Sequence, residues 1–138
     1  MLEHLMNIYD RLRRLVRNYA RRALILLNWY RESGCTEAER RGVRLLKEWL
    51  SPEQLAQFET RRYFDVIGRH SGKRYRIRYG TATNIHELNR AGHPETGWCF
   101  VPGESLVAGD VMLAQKIALE TDETSALAVA RRFTPVWH

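Results

Sequence analysis

From Leu5 to Tyr30 apolar residues recur every three or four positions. At helical pitch Leu5, Ile8, Tyr9, Leu12, Leu15, Val16, Tyr19, Ala23, Leu26, Leu27 and Tyr30 fall on one broad face. Arg11, Arg13, Arg14, Arg17, Arg21 and Arg22 fall opposite. No Gly or Pro occurs from Met1 to Ser33, and Gly34 is a natural stop, so the pattern predicts one helix over 4–32. Toward its C-terminal end Leu24, Ile25 and Trp29 break into the polar face. There the helix is apolar nearly all round, which predicts two partners: the core and another surface. The sequence Thr36-Glu-Ala-Glu39 reads as a capping box opening a second helix to about Leu50. Ser51-Pro52 then opens a short helix to about Phe58, with Ser51 as N-cap.

Beyond residue 60 the period changes to two. Tyr63–Ile67 reads as a strand, Ser71-Gly72 as a hairpin turn, and Lys73–Tyr79 as the returning strand. In the latter Arg74, Arg76 and Arg78 point one way, and Tyr75, Ile77 and Tyr79 the other. Residues 81–88 suggest an irregular strand, 89–95 a turn, and 97–101 a last strand ended by Pro102-Gly103. Two C-terminal helices are expected over Val111–Leu119, capped by Asp110, and over Glu123–Phe133, capped by Thr121 or Asp122. The fold class is therefore α+β: N-terminal helices, a three- to four-stranded antiparallel β-meander, and two C-terminal helices. The expected core includes Tyr19, Leu26, Trp49, Phe64, Val66, Ile77, Trp98, Phe100, Leu113, Ile117 and Leu127. A basic amphipathic helical region spans 1–50 and an α+β domain 51–138, together forming one compact unit.

Composition changes the picture mainly through charge. Apolar residues make up 44% and charged residues 28% of the 138, which excludes wholesale disorder. The net charge is +6, carried by 19 arginines and only three lysines, Lys47, Lys73 and Lys116. Residues 1–80 carry +9 and residues 81–138 carry −3. Arginine binds phosphate bidentately, so a basic arm of this kind suits nucleic acid; a GC-rich coding sequence yields the same bias. Two lone cysteines exclude a disulfide scaffold and suit a reducing, cytoplasmic compartment. No signal peptide is expected, and no apolar run approaches a membrane span.

Five constellations invite chemistry. Arg11, Arg14, Arg17 and Arg21 form a ridge that matches a phosphate backbone, or else a solvated face. An anionic membrane surface is a third match, set back because the apolar face is expected to pack within the fold. The Arg74, Arg76 and Arg78 ladder, with Tyr63, Tyr75 and Tyr79 nearby, has the composition of a single-strand platform; the alternative is pairing with Asp65, Glu59 or Glu87. His70, His86, His93 and Cys99 lack zinc-knuckle spacing, so no metal or other cofactor is expected. No nucleophile elbow, P-loop or dinucleotide fingerprint occurs, so the chain reads as a non-enzymatic protein. Glu120, Asp122 and Glu123 cluster between two predicted helices, where capping is the simplest role.

The runs Ser71–Ile77, Asn84-Ile85, Trp98–Pro102 and Gly109–Glu123 together resemble a group of small, uncharacterised bacterial proteins. That resemblance covers about 60% of the chain by the span of residues 49–133. It implies a bacterial origin and a single α+β unit. The order of meander, Cys-bearing strand and helix is also similar to SWIM-type zinc domains. Here the paired cysteine and the C-x-H ligands are absent. The expected function is nucleic-acid binding through the arginine-rich helix and hairpin faces, mainly on phosphates. The alternative is a protein-interaction or assembly module in which Leu24, Ile25 and Trp29 meet a partner or a second copy.

Overall fold

In the computed structural model residues 2–33, 35–103 and 105–136 are described, the side chains of residues 2–9, 26 and 28–33 excepted. Four helices and five strands occur among them: α1 (Leu2–Ser33), α2 (Glu37–Trp49), α3 (Pro52–Arg61), β1 (Tyr63–Ile67), β2 (Arg74–Arg78), β3 (Ile85–Leu88), β4 (Pro94–Cys99), α4 (Ala108–Val129) and β5 (Arg131–Phe133). The architecture is α+β, as the periodicity predicts. The chain divides into two units, Met1–Thr36 and Glu37–His138. The division falls earlier than the expected seam near residue 50, because α2 packs on α4 and so belongs to the body.

The first unit is α1, uninterrupted because nothing in it breaks a helix. In the second unit the strands follow one another across an antiparallel sheet in the order β1-β2-β3-β4-β5. Its core joins Leu46 of α2, Leu50 just after it, Phe58 of α3, Phe64 and Val66 of β1, Tyr75 and Ile77 of β2, Ile85 of β3, and Met112, Leu113 and Leu119 of α4. The helices α2 and α4 meet at a glycine pair. A Cβ on Gly109 would fall inside the van der Waals radius of the Gly42 carbonyl and the Val43 nitrogen. Glycine here lets two helix backbones approach closely.

Ser51 caps α3 as its sequence promises. Its hydroxyl accepts from the Gln54 N–H at 3.2 Å, while the Gln54 side chain accepts from the Ser51 N–H at 3.1 Å. The strand β1 lies at the sheet edge, and α3 closes that edge. The Gln54 amide donates to the Asp65 carbonyl at 2.9 Å, and Gln57 accepts from the Asp65 N–H at 2.9 Å. Covered edges do not recruit foreign strands.

The two expected C-terminal helices run together as α4, but non-helical backbone at Asp122 (φ −144°, ψ 65°) separates them, so that expectation holds. Asp122 caps the second half, accepting from the Ser125 N–H at 3.3 Å. Several other expectations are corrected. Asp110 is not the N-cap. Val107 holds that position, with no side-chain cap bond. The helix ends at Val129, and Arg131–Phe133 forms a fifth strand beside β4. A Cβ on Gly97 would overlap the Phe133 ring, so β4 leaves a seat that Phe133 fills. Trp49 and Ile117 are exposed, not core: the buried residues of α2 are Gly42 and Leu46, Leu50 follows just beyond its end, and Trp49 lies on the flank. Tyr19 is likewise exposed, and the side chain of Leu26 lies outside the described residues.

Candidate functional site

The arginine ridge and the apolar stripe of α1 both face solvent. Arg11, Arg14, Arg17 and Arg21 are exposed. From residue 11 to residue 31 the helix contains no carboxylate. Neither Arg17 nor Arg21 therefore has an acidic neighbour at helical spacing. On the other side Leu12, Leu15, Val16 and Tyr19 are 55%, 51%, 68% and 69% exposed. These four side chains of the apolar face, expected to be covered, are thus more than half exposed. Leu24 and Ile25, assigned to a partner surface, are exposed as well; the side chain of Trp29 lies outside the described residues. No helix among the described residues is long and apolar enough to cross a membrane.

The hairpin ladder has the predicted geometry and a different electrostatic fate. Tyr75 and Ile77 are buried while Arg74, Arg76 and Arg78 share the opposite face. The register sets Asp65 directly across from Arg76. A bidentate pair results, with Nε–Oδ1 at 2.8 Å and Nη2–Oδ2 at 3.0 Å. The Asp65 hydrogen bond raises the Arg76 pKa further above its already high ordinary value, against the opposing effect of burial. The Arg76 guanidinium also lies 3.9 Å from the Tyr63 ring centre, and Arg74 Nε is 3.9 Å from Asp65. Arg78 is the exposed member. The aromatic platform is not formed: Tyr63 and Tyr75 are buried and Arg62 sits 4.1 Å over Tyr79, so none offers an open ring for stacking bases.

Next along the same face His86 lies opposite Arg76, with the Phe133 ring 5.9 Å away edge-on. Burial, then the charges of Arg78 and Arg76, pushes its pKa below the ordinary 6.5. Its Nδ1 is the one buried side-chain nitrogen or oxygen without a hydrogen-bond partner among the described residues. His86, His93 and Cys99 do not form a metal-binding group: among the described residues no cluster of three such ligands exists. Cys99 instead accepts the Thr83 N–H at 3.3 Å.

The cluster that sequence reasoning assigned to capping does more. At the kink of α4, Glu123 turns inward and is buried. It accepts the backbone N–H groups of His70 and Ser71, each at 2.8 Å, the Tyr75 hydroxyl at 2.6 Å, and the Ser71 hydroxyl. Burial raises its pKa, but these bonds outweigh burial and bring it down from 4.5 to about 2. Tyr75, desolvated and bonded to this carboxylate, is raised well above its ordinary value. A carboxylate so acidic is a poor base and a good clamp. A Cβ on Gly68 would overlap it, and the Arg69 N–H reaches the Leu119 carbonyl at 3.0 Å. The kink thereby grips the β1–β2 turn. No local motif announces this, since the seven residues concerned span positions 68 to 123.

Among the clefts lined by the described residues, two open on the body. One, of about 590 Å³, lies between α3 and the hairpin and mixes Arg69 and Arg74 with Glu53, Asp65 and Glu120. The other, of about 680 Å³, mixes Lys73, Arg74 and Arg90 with Glu87 and Glu95. Neither concentrates one sign of charge. Lys73 is paired with Glu87 at 2.6 Å, which also takes the Trp98 N–H at 3.0 Å. Comparison with protein-family models, with curated proteins and with solved structures finds no match in any of the three.

Proposed function

We propose that the protein is an interaction module that docks through α1. The observation that carries this reading is the exposed stripe of Leu12, Leu15, Val16 and Tyr19 along a helix that forms a unit of its own. Amphipathic helices gain most of their stability from covering such a stripe. The body holds its own core, and several of its charged residues pair with one another, Arg76 with Asp65 and Lys73 with Glu87 among them. The test compares the full chain with Leu12→Glu plus Val16→Glu against three probes: the protein itself by light scattering, anionic vesicles by sedimentation, and duplex DNA by titration. The double variant is expected to lose an association that the wild type has. A variant indistinguishable from wild type against all three probes overturns the reading.

A second reading, nucleic-acid binding, is favoured by the exposed ridge of Arg14, Arg17 and Arg21. If roughly six phosphates are contacted, log K should fall with log salt at a slope of about −4 to −5. Arg14→Glu plus Arg17→Glu should abolish that binding, whereas Leu12→Glu plus Val16→Glu should spare it. A slope near zero overturns it. The hairpin contributes less than its composition suggests, because Arg76 is already held by Asp65.

A further inference from the structure

We infer that the partner of α1 is an anionic lipid surface, on which the helix lies flat with its apolar stripe at the acyl boundary and its arginines among the headgroups. The inference rests on α1 being the docking element, and it follows from where the arginines stand around the stripe. At 100° per residue Leu12, Leu15, Val16, Tyr19, Ala23 and Leu27 fill a sector roughly 120° wide. Arg11 and Arg22 lie within about 40° of Leu15 at one border, and Arg13 within about 40° of Leu27 at the other. Both borders of the stripe are therefore cationic, and no carboxylate breaks them between residues 11 and 31.

This arrangement discriminates between occupants. In a second copy of α1 the flanking positions would meet like charge, where paired helices place opposite charges. A sector this broad is also wider than the narrow seam one helix offers another. Duplex nucleic acid would neutralise the arginines but leave Leu12, Val16 and Tyr19 in water. An anionic lipid surface meets both demands at one depth. The stripe enters the acyl region, and the bordering guanidiniums reach phosphates while their stems stay apolar. A 32-residue helix is about 48 Å long, enough to lie along a membrane, and none of the described helices is apolar enough to cross one.

The experiment is sedimentation of the full chain with vesicles of phosphatidylcholine plus phosphatidylglycerol, against vesicles of phosphatidylcholine alone. Binding to the anionic vesicles and little to the neutral ones is expected. Arg13→Gln plus Arg22→Gln should weaken partitioning roughly 30-fold, from about five-fold for each basic residue near such a surface. Leu12→Glu plus Val16→Glu should abolish it, with the thermal melting of the body unchanged. Equal binding to both vesicle types overturns the anionic assignment, and binding to neither overturns the lipid assignment altogether. In that last case, an assembly heavier than one chain that the Leu12/Val16 variant dissolves gives α1 a second copy as its occupant and keeps the docking reading. A monomer that this variant leaves unchanged, in mass and in DNA affinity, ends both.

Discussion

Arginines occupy one face of α1 and one face of β2, yet the two regions treat them oppositely. On β2 the register sets Asp65 across from Arg76, and the guanidinium is held at both ends and laid over Tyr63. On α1 no carboxylate follows Asp10 until Glu32, and Arg17 and Arg21 face solvent. Apolar residues divide in the same way. Phe64 and Ile77 are fully buried, whereas Leu12 and Val16 are more than half exposed. Periodicity alone does not tell these cases apart, because a two-sided pattern records amphipathicity, not what covers each side. The body buries a continuous core while leaving a few apolar residues such as Trp49 and Ile67 exposed; on α1 the exposed apolar residues follow one another along a single stripe.

The largest effect that tests this contrast is a pair of truncations. Phe64→Ala should destabilise the body by about 3–5 kcal/mol, the usual cost of emptying a packed aromatic site. Leu12→Ala, at a residue 55% exposed, should change it by less than about 0.5 kcal/mol. Denaturant melts of both variants measure the difference. A Leu12→Ala cost near that of Phe64→Ala would mean that the stripe is covered in the folded monomer, and the contrast between the regions would collapse.

A smaller effect lies in the clamp on the β1–β2 turn. Glu123→Gln removes a charge that accepts four hydrogen bonds and should cost about 2–3 kcal/mol at neutral pH. The acid dependence carries a sign. Glu123 has a folded pKa of about 2 against an ordinary 4.5. Between those values the unfolded chain binds the proton more readily. The stabilisation is therefore complete above about pH 4.5 and disappears as pH falls toward 2. In the Gln variant this part of the acid slope should be missing. Wild-type and Gln curves that stay parallel from pH 5 down to 2 would remove Glu123 from the clamp.

Where local chemistry decides structure, the sequence is easily read. Ser51-Pro52 starts α3 because hydroxyl and ring act within one turn. Strand β1 falls at Tyr63–Ile67 because aromatic and β-branched residues dominate this short run. The Arg74–Arg78 face and the Asp65 pairing follow from a period of two. Long-range demands are not legible in this way. Leu127, Ala130 and Phe133 have helical spacing, yet Phe133 belongs to a strand because Gly97, 36 positions earlier, leaves it a seat. Glu123 looks like a capping residue until the kink at Asp122 aims it at His70 and Ser71. The reciprocal amide pair of Asn84 and Gln115, at 2.8 and 2.9 Å, joins the β2–β3 loop to α4 across 31 positions and leaves no local trace. The face of α1 is a mixed case: its stripe and ridge are plain in the sequence, but the exposure of Leu12, Leu15, Val16 and Tyr19 is not.

The smallest predicted effect concerns His86, whose Nδ1 is the one buried side-chain nitrogen or oxygen without a partner among the described residues. His86 lies between Arg76 and the Phe133 ring. Its folded pKa lies below the ordinary 6.5, first because it is buried and then because Arg78 and Arg76 repel a proton. As pH falls below about 6.5 the unfolded chain therefore takes up the proton first, and stability declines until the folded imidazole titrates too. His86→Phe keeps a ring against Phe133 and removes the unpaired nitrogen. It should be neutral or stabilising by up to about 1 kcal/mol at pH 7, and should flatten the decline below pH 6.5. A variant that loses stability at neutral pH would show that Nδ1 has a partner in solution. The outer sheet face would then bind something of its own, beside the exposed stripe of α1.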